Sequence, residues 1–144
     1  MNYKNLGRTG LKVSQVILGC GNFGGIGSAP AFYGKGETEE ESHAILDAAW
    51  DLGINVFDTA NAYGGGRSES YIGNWLRRKG SRVRDQLILS SKVFNPVGDG
   101  PTLAANEKSG ATCPTAIKDS VISLLVNKTG LVCLVLGDMI HWTE

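Results

Sequence analysis

The sequence predicts an α/β fold, with one domain over residues 1–144 and a parallel sheet at its centre. Short, largely apolar runs recur along the chain, at residues 16–18, 54–57, 87–89 and 131–136. Segments with helical periodicity separate these runs, and long polar or glycine-rich loops follow some of them. Two architectures share this alternation of strand and helix, the doubly wound open sheet and the eight-stranded barrel.

The beginning of the chain predicts a small hairpin and then the first strand of the core. Residues 3–6 can pair with residues 12–14, because the glycines and the polar pair at 7–10 are typical of a turn. The apolar run at 16–18 predicts a short strand buried on both faces, which stops at Gly19.

A glycine-rich loop follows, from Gly19 to Gly36. Its first residues, GCGNFG at 19–24, satisfy the G-x-G-x-x-G pattern of dinucleotide-binding open sheets. In that fold the glycines open a helix that holds the pyrophosphate, whereas here residues 25–30 continue the loop and helix signals begin only at Thr38. We therefore interpret the segment as a flexible loop at the end of a strand.

Two helices are predicted next, each followed by a strand. Thr38 and Glu41 form a capping box, and the helix after them ends at Gly53. Its predicted buried face consists of Ala44, Ile45, Ala48, Ala49 and Leu52, with His43 on the solvated side. The second helix is predicted from an N-cap at Ser68 to about Gly80, with Tyr71, Ile72, Trp75 and Leu76 inward. A third helix is predicted over residues 115–126, before the strand at 131–136.

The balance of charge and the cysteine pattern exclude several classes of function. Lys plus Arg and Asp plus Glu number 14 each, so no net charge attracts nucleic acid or an anionic membrane surface. The longest apolar run falls far below the roughly 20 residues that span a bilayer, and the N-terminus lacks the pattern of a signal peptide. We expect a cytoplasmic protein. Cys20, Cys113 and Cys133 lack the spacing of a zinc site or a disulfide framework, so we expect free thiols and no metal.

Three reactive side chains follow or end neighbouring predicted strands. Asp58 ends the second strand, Tyr63 follows five residues later, and Lys92 ends the third strand. Barrel enzymes place their chemistry at the carboxyl ends of successive strands. Each residue alone has an ordinary explanation, as a turn aspartate, a packing tyrosine or a lysine at the surface.

Taken together, these residues lie in segments that resemble the aldo-keto reductase family. The segments are FDTANAYG at 57–64 with SE at 68–69 and IG at 72–73, LGRTGLKVS at 6–14, LGCG at 18–21 and SSKV at 90–93. The likeness runs from Asn5 to about Pro101. That family is a (β/α) barrel with an N-terminal hairpin over its floor. The resemblance implies a truncated NADP-dependent oxidoreductase domain over residues 1–144, with about the first four units of a (β/α)8 TIM barrel.

The resemblance also implies a chemistry. Members of the family bind NADPH, sometimes NADH, and transfer hydride to the carbonyl carbon of an aldehyde or ketone, a small-molecule substrate. By position, Tyr63 is the acid that protonates the oxygen. Because a free phenol has a pKa of about 10, it needs a neighbouring cation, which Lys92 supplies while Asp58 pairs with the ammonium. Gly21, Asn22, Phe23 and Asp58 are the positions expected to touch the cofactor.

The family's fourth catalytic residue is a histidine that orients the substrate carbonyl, and His141 is the candidate. Residues 125–137 depart from the family pattern, although IHW at 140–142 resembles it again. The alternative is a solvated histidine near a chain end, and the sequence does not decide between the two.

The length of the chain leaves two functional hypotheses. A barrel needs about 250 residues, so an unclosed half-barrel is expected to be marginally stable, to pair with another copy or to aggregate. The first hypothesis is an NADPH-linked carbonyl reductase in the branch related to aryl-alcohol dehydrogenases and potassium-channel β subunits. The second is a non-catalytic truncated form that binds a partner or folds on a homologous surface.

Overall fold

The computed structural model describes residues 1–92 and the backbone of residues 132–135. The elements, in chain order, are β1 (Tyr3–Asn5), β2 (Lys12–Ser14), β3 (Leu18–Gly19), α1 (Glu39–Asp51), β4 (Val56–Asp58), α2 (Arg67–Lys79), α3 (Ser81–Gln86), β5 (Ile88–Lys92) and β6 (Val132–Val135), with short 3-10 turns at Pro30–Phe32 and Tyr63–Gly66. The predicted helix at 115–126 lies outside the described residues, as does His141.

Strands β3 to β6 form one parallel sheet whose order follows the chain, β3-β4-β5-β6. The predicted α/β class is confirmed, and the strand predicted at 131–136 is β6, paired in parallel with β5. Because each neighbouring pair is parallel, the chain must return to the same end of the sheet before it enters the next strand. All four strands therefore point the same way, and their carboxyl ends share one edge.

The predicted N-terminal hairpin is present, and it closes the amino end of the sheet. β1 and β2 are antiparallel. The Ser14 backbone N–H donates to Asn55 Oδ1 at 2.8 Å, and the Tyr3 hydroxyl donates to the Gly53 carbonyl at 2.8 Å. Asn55 and Gly53 immediately precede β4, so these bonds fix the hairpin at the start of that strand, which leaves the opposite end for a functional site.

The first core strand is shorter than predicted. The prediction of a strand at 16–18 buried on both faces is wrong, because β3 begins only at Leu18, and Val16 and Ile17 are 51% and 56% exposed. The Ser14 hydroxyl donates to the Val16 carbonyl at 2.6 Å, within the bend that leads from the hairpin to β3. A β-branched run favours extended backbone, but it does not specify what covers that backbone.

The glycine-rich loop is folded on itself by backbone hydrogen bonds, a feature that the sequence did not predict. Gly24 N–H donates to the Glu37 carbonyl at 2.8 Å, and Glu37 N–H donates to the Asn22 carbonyl at 2.9 Å. A Cβ on Gly36 would lie 1.9 Å from the Asn22 oxygen, so only glycine permits this approach. After the G-x-G-x-x-G segment the next α-helix starts only at Glu39, so these glycines do not open a helix.

Helix α1 begins where predicted but buries a different face. Thr38 and Glu41 make both bonds of the capping box. The buried residues are Ser42, His43, Leu46 and Ala49, so of the predicted face only Ala49 is buried. His43 was predicted to be solvated, which is wrong. It is buried, with Nε2 2.8 Å from the Tyr71 carbonyl, because α1 packs against α2 on this side.

The hydrophobic core lies between these two helices and one face of the sheet. Trp75 of α2 is fully buried, with its ring centroid 5.7 Å from that of Phe57 on β4. Along β5, Leu89 and Ser91 are buried, whereas Ile88, Ser90 and Lys92 are only partly buried. The helices therefore cover one face of β5, and its other face carries the polar side chains near the strand end. Within the described part of the chain, no helix is long and apolar enough to cross a membrane.

Thr38→Ala tests the contribution of the capping box. The substitution removes the acceptor for the Glu41 N–H, so we expect the free energy of unfolding to fall by about 1 kcal/mol. Urea denaturation followed by circular dichroism measures it. Thr38→Ser keeps the oxygen and should lose only a small part of the stability, so equal losses in the two variants would contradict the role of the hydroxyl.

Candidate active site

The candidate site lies at the carboxyl end of the parallel sheet, where β4 and β5 end side by side. Asp58, the last residue of β4, is in register with Ser90 of β5. Ser90 and Lys92 are two residues apart, so they lie on the same face of the strand. Parallel pairing therefore brings a carboxylate, a hydroxyl and an ammonium group to one edge of the sheet.

These three groups are joined by hydrogen bonds. Lys92 Nζ donates to Asp58 Oδ2 at 2.5 Å and to the Thr59 carbonyl at 2.9 Å. Ser90 Oγ donates to Asp58 Oδ1 at 2.8 Å. Each oxygen of the Asp58 carboxylate therefore accepts a hydrogen bond from a different side chain. The side chains of Lys92 and Asp58 are 30% and 32% exposed, so a ligand can reach the ion pair.

Tyr63 lies beside this ion pair. Lys92 Nζ is 5.1 Å from the centroid of the Tyr63 ring, within the range of a cation–π contact. The ring also faces Gly21, where a Cβ would lie 3.9 Å from Tyr63 Cε2. The structure thus brings Asp58, Tyr63 and Lys92 together at one rim.

The turn that carries Tyr63 depends on glycine. Gly64, Gly65 and Gly66 have φ angles of 58°, 68° and 91°, in the left-handed region that side chains disfavour. A Cβ on Gly64 would lie 2.6 Å from the Phe23 carbonyl oxygen, and Gly64 N–H donates to the Gly27 carbonyl at 3.0 Å. The turn therefore interlocks with the glycine-rich loop, which fixes the position of the phenol.

A buried hydroxyl ties together the segments around the site. Ser68 Oγ donates to the Cys20 carbonyl at 2.9 Å and lies 2.8 Å from Thr59 Oγ1. Ser68 was predicted to be the N-cap of α2, which is wrong. Gly66 occupies that position, and Ser68 lies inside the first turn. The Ser68 hydroxyl instead connects α2 to the residues that follow β3 and β4.

Sequence analysis missed the supporting role of both serines before Lys92. Ser90 binds Asp58, while Ser91 Oγ donates to the buried Glu69 carboxylate of α2 at 2.6 Å, on the other face of β5. The sequence could have indicated that the two hydroxyls have different partners, because consecutive side chains of a strand lie on opposite faces of the sheet. The partners of the two hydroxyls depend on neighbouring elements.

The positions predicted to touch a cofactor differ in accessibility. Gly21 is partly buried and Asn22 is exposed, but the side chain of Phe23 is 2% exposed and belongs to the hydrophobic core. Gly21 therefore lies next to the Tyr63 ring, Asn22 is accessible to solvent, and Phe23 packs in the core and anchors the loop.

The described part of the site offers neither a reactive thiol nor a metal centre. Burial raises the pKa of Cys20 to about 12, and the nearby Asp58 carboxylate acts in the same direction while Lys92 opposes it. Cys20 therefore stays protonated near neutral pH and is a poor nucleophile. Among residues 1–92, no three His, Cys, Asp or Glu side chains come together as metal ligands would.

A model of the Aldo/keto reductase family matches residues 15–141. The chain belongs to this family. Because the match covers most of the chain, it also includes residues outside the described part.

Several curated relatives match the chain. An uncharacterized oxidoreductase of Bacillus subtilis, YrpG, is 40% identical over 114 residues, which cover 76% of this chain and 31% of the relative. A putative aryl-alcohol dehydrogenase of Schizosaccharomyces pombe is 43% identical, over 66% of this chain and 26% of the relative. A probable voltage-gated potassium channel subunit beta of rice is 40% identical, over 70% of this chain and 27% of that protein.

Solved structures agree with this assignment. The holo form of an aldo-keto reductase from Bacillus halodurans aligns with a TM-score of 0.62 at 30% identity, covering 93% of this chain and 40% of that chain. This chain therefore spans less than half of that structure, and about a third or less of the curated relatives above.

Ser68→Ala tests whether the buried hydroxyl holds the site segments together. It removes the buried partner of the Thr59 hydroxyl and leaves the Cys20 carbonyl only the longer bond from the Phe23 N–H at 3.3 Å, so we expect a loss of about 1–3 kcal/mol in the free energy of unfolding. The matched control is Ser70→Ala on the same helix, whose exposed hydroxyl donates to the Gly66 carbonyl. Its cost should stay within about 0.5 kcal/mol. Equal effects in urea denaturation would contradict the proposed connection.

Proposed function

We propose that residues 1–144 are part of an NADPH-dependent aldo-keto reductase domain and supply about the first four units of its (β/α)8 barrel. The sequential parallel sheet and the hairpin at its amino end support this architecture. The chain belongs to the same family as the solved aldo-keto reductase from Bacillus halodurans, and it aligns with only part of that structure. The doubly wound alternative has less support, because the glycines after β3 do not open a helix.

We further propose that the complete domain reduces an aldehyde or ketone. The single observation that carries this proposal is the convergence of the Tyr63 phenol, the Lys92 ammonium and the Asp58 carboxylate at the carboxyl edge of the sheet. In this arrangement the phenol can donate a proton to a developing oxyanion, and the ammonium can stabilise the negative charge that then remains on the phenol oxygen. The names of two relatives, a putative aryl-alcohol dehydrogenase and a versiconal hemiacetal acetate reductase, agree with carbonyl chemistry.

The accessible positions beside Tyr63 are the ones we propose to face the cofactor. Gly21 has no side chain, so its backbone lies close to the Tyr63 ring: a Cβ there would already be 3.9 Å from Tyr63 Cε2, and a larger side chain would crowd the ring. Partly exposed Asp58 lies beside Tyr63 through its ion pair with Lys92, and exposed Asn22 follows Gly21 in the chain. We assign Gly21, Asn22 and Asp58 to the cofactor side of the site. When bound, reduced nicotinamide supplies the hydride that attacks the carbonyl carbon.

In this proposal the residues of the chain supply the proton and stabilise the charge that its transfer leaves behind. The Tyr63 hydroxyl donates a proton to the carbonyl oxygen, and the Lys92 ammonium stabilises the phenolate that is left. Asp58 and the Thr59 carbonyl hold Lys92 in place. His141 is proposed to orient the substrate carbonyl, and the substrate is a small molecule that a cytoplasmic reductase would meet.

Tyr63→Phe tests the assigned acid. It removes the proton donor and leaves the ring, so we expect NADPH-dependent turnover of a test aldehyde to fall by roughly 100-fold or more. Oxidation of NADPH followed at 340 nm, a standard absorbance assay, measures it. Tyr3→Phe is the matched control, because that hydroxyl binds Gly53 at the opposite end of the sheet. Turnover that survives Tyr63→Phe would refute the role of Tyr63.

Titration with NADPH tests the cofactor proposal. Trp75 is buried and Trp50 packs against it, and we expect NADPH to quench their fluorescence at micromolar concentrations. Gly21→Val should weaken this binding by roughly tenfold or more, because its side chain fills space beside Tyr63. Gly19→Val is the control, since a Cβ there meets no atom within 4 Å. No response up to millimolar NADPH would favour the non-catalytic truncated form instead.

A further inference from the structure

We propose that Ser90 is a positioning residue that fixes the orientation of the Asp58 carboxylate and, through it, the Lys92 ammonium. Its meaning for catalysis rests on the proposed reductase function. The geometric claim concerns only the ion pair and holds with or without turnover.

The register between β4 and β5 brings Ser90 next to Asp58. Asp58 and Ser90 are paired residues on adjacent parallel strands. Ser90 Oγ donates to Asp58 Oδ1 at 2.8 Å, while Lys92 Nζ donates to Oδ2 at 2.5 Å. A carboxylate held at one oxygen can rotate about its Cβ–Cγ bond, and a second donor on the other oxygen prevents this rotation. Because Ser90 lies within β5, its hydroxyl starts from a fixed backbone position.

The solvent exposure of Asp58 distinguishes a positioning role of Ser90 from a contribution to stability alone. The Asp58 side chain is 32% exposed, so water can replace the Ser90 hydroxyl as a donor to Oδ1. Loss of the hydroxyl therefore should not unfold the protein. Water is not attached to the strand, however, so the carboxylate loses its fixed orientation. Lys92 then still donates to the Thr59 carbonyl, but the Asp58 carboxylate, its other acceptor, is free to rotate.

The neighbouring serine provides a matched control. Ser91 follows Ser90 in the same strand, but its hydroxyl points to the opposite face and donates to Glu69 at 2.6 Å. Ser91→Ala therefore removes a strand hydroxyl of equal size without touching Asp58 or Lys92. It is also buried, so its effect is expected on stability and not on the ion pair.

Labelling of the Lys92 amine tests the proposal. The purified full chain, without cofactor, is treated with limiting N-hydroxysuccinimidyl acetate, and acetylation of each lysine is followed over time by mass spectrometry of peptides. In Ser90→Ala we expect Lys92 to react roughly threefold or more faster than in the original protein, because its ammonium is less firmly held. Ser90→Thr keeps a hydroxyl and should restore the original rate. Lys79, paired with Asp47 at 2.7 Å, is the internal reference.

Two results would overturn the proposal. One is an unchanged Lys92 rate in Ser90→Ala, and the other is an equal increase in Ser91→Ala. Circular dichroism confirms that each variant is folded. Should Ser90→Ala fail to fold, Ser90→Cys replaces it, because a thiol is a weak donor of similar size and should give an intermediate rate.

The outcome is independent of the reductase assignment. Labelling uses no cofactor, so it reports on the ion pair even where Tyr63→Phe retains activity or NADPH does not bind. Where the protein does turn over a carbonyl, Ser90→Ala should lower kcat by roughly tenfold with a smaller change in KM, because it disturbs proton transfer more than binding. An equal fall in Ser91→Ala would contradict the assigned position of Ser90.

Discussion

The site depends on one interaction, the ion pair between Lys92 and Asp58 across the ends of two parallel strands. Both side chains are about one-third exposed, so the pair adds little to stability, as partly solvated ion pairs generally do. Its importance is positional. It places a positive charge beside the Tyr63 ring, and the proposed role of Tyr63 as a proton donor requires such a charge.

Two other parts of the molecule maintain this arrangement. The core around Trp75 and Phe57 holds the helices against one face of the sheet and supplies apolar burial. The rim is held by polar contacts, in which Ser68 joins the start of α2 to the Cys20 carbonyl and Thr59. Because the Tyr63 turn joins β4 to α2, anchoring both ends of that connection limits the movement of the phenol.

Much of the site was accessible from sequence, for a physical reason. Asp58 and Lys92 end strands that any parallel sheet brings to one edge, so their proximity follows from their place in the chain. Burial was predicted less well. Ile45 of α1 and Leu52 at its C-cap are exposed and His43 is buried, because the face that a helix buries depends on the partner against which it packs. Composition alone could not show that the glycine-rich loop folds on itself, because glycine serves both flexible loops and close backbone contacts.

The amino-acid sequence by itself determined the alternation of strands and helices, the capping box of α1, the N-terminal hairpin and the residue types at the strand ends. These features depend on neighbours within a few residues. The tertiary structure decided which hydroxyl meets which carboxylate. Ser90 and Ser91 are chemically identical neighbours, yet one binds Asp58 and the other Glu69. Pleating sends their side chains to opposite faces, and only the packing of β4 and α2 determines what each face contacts.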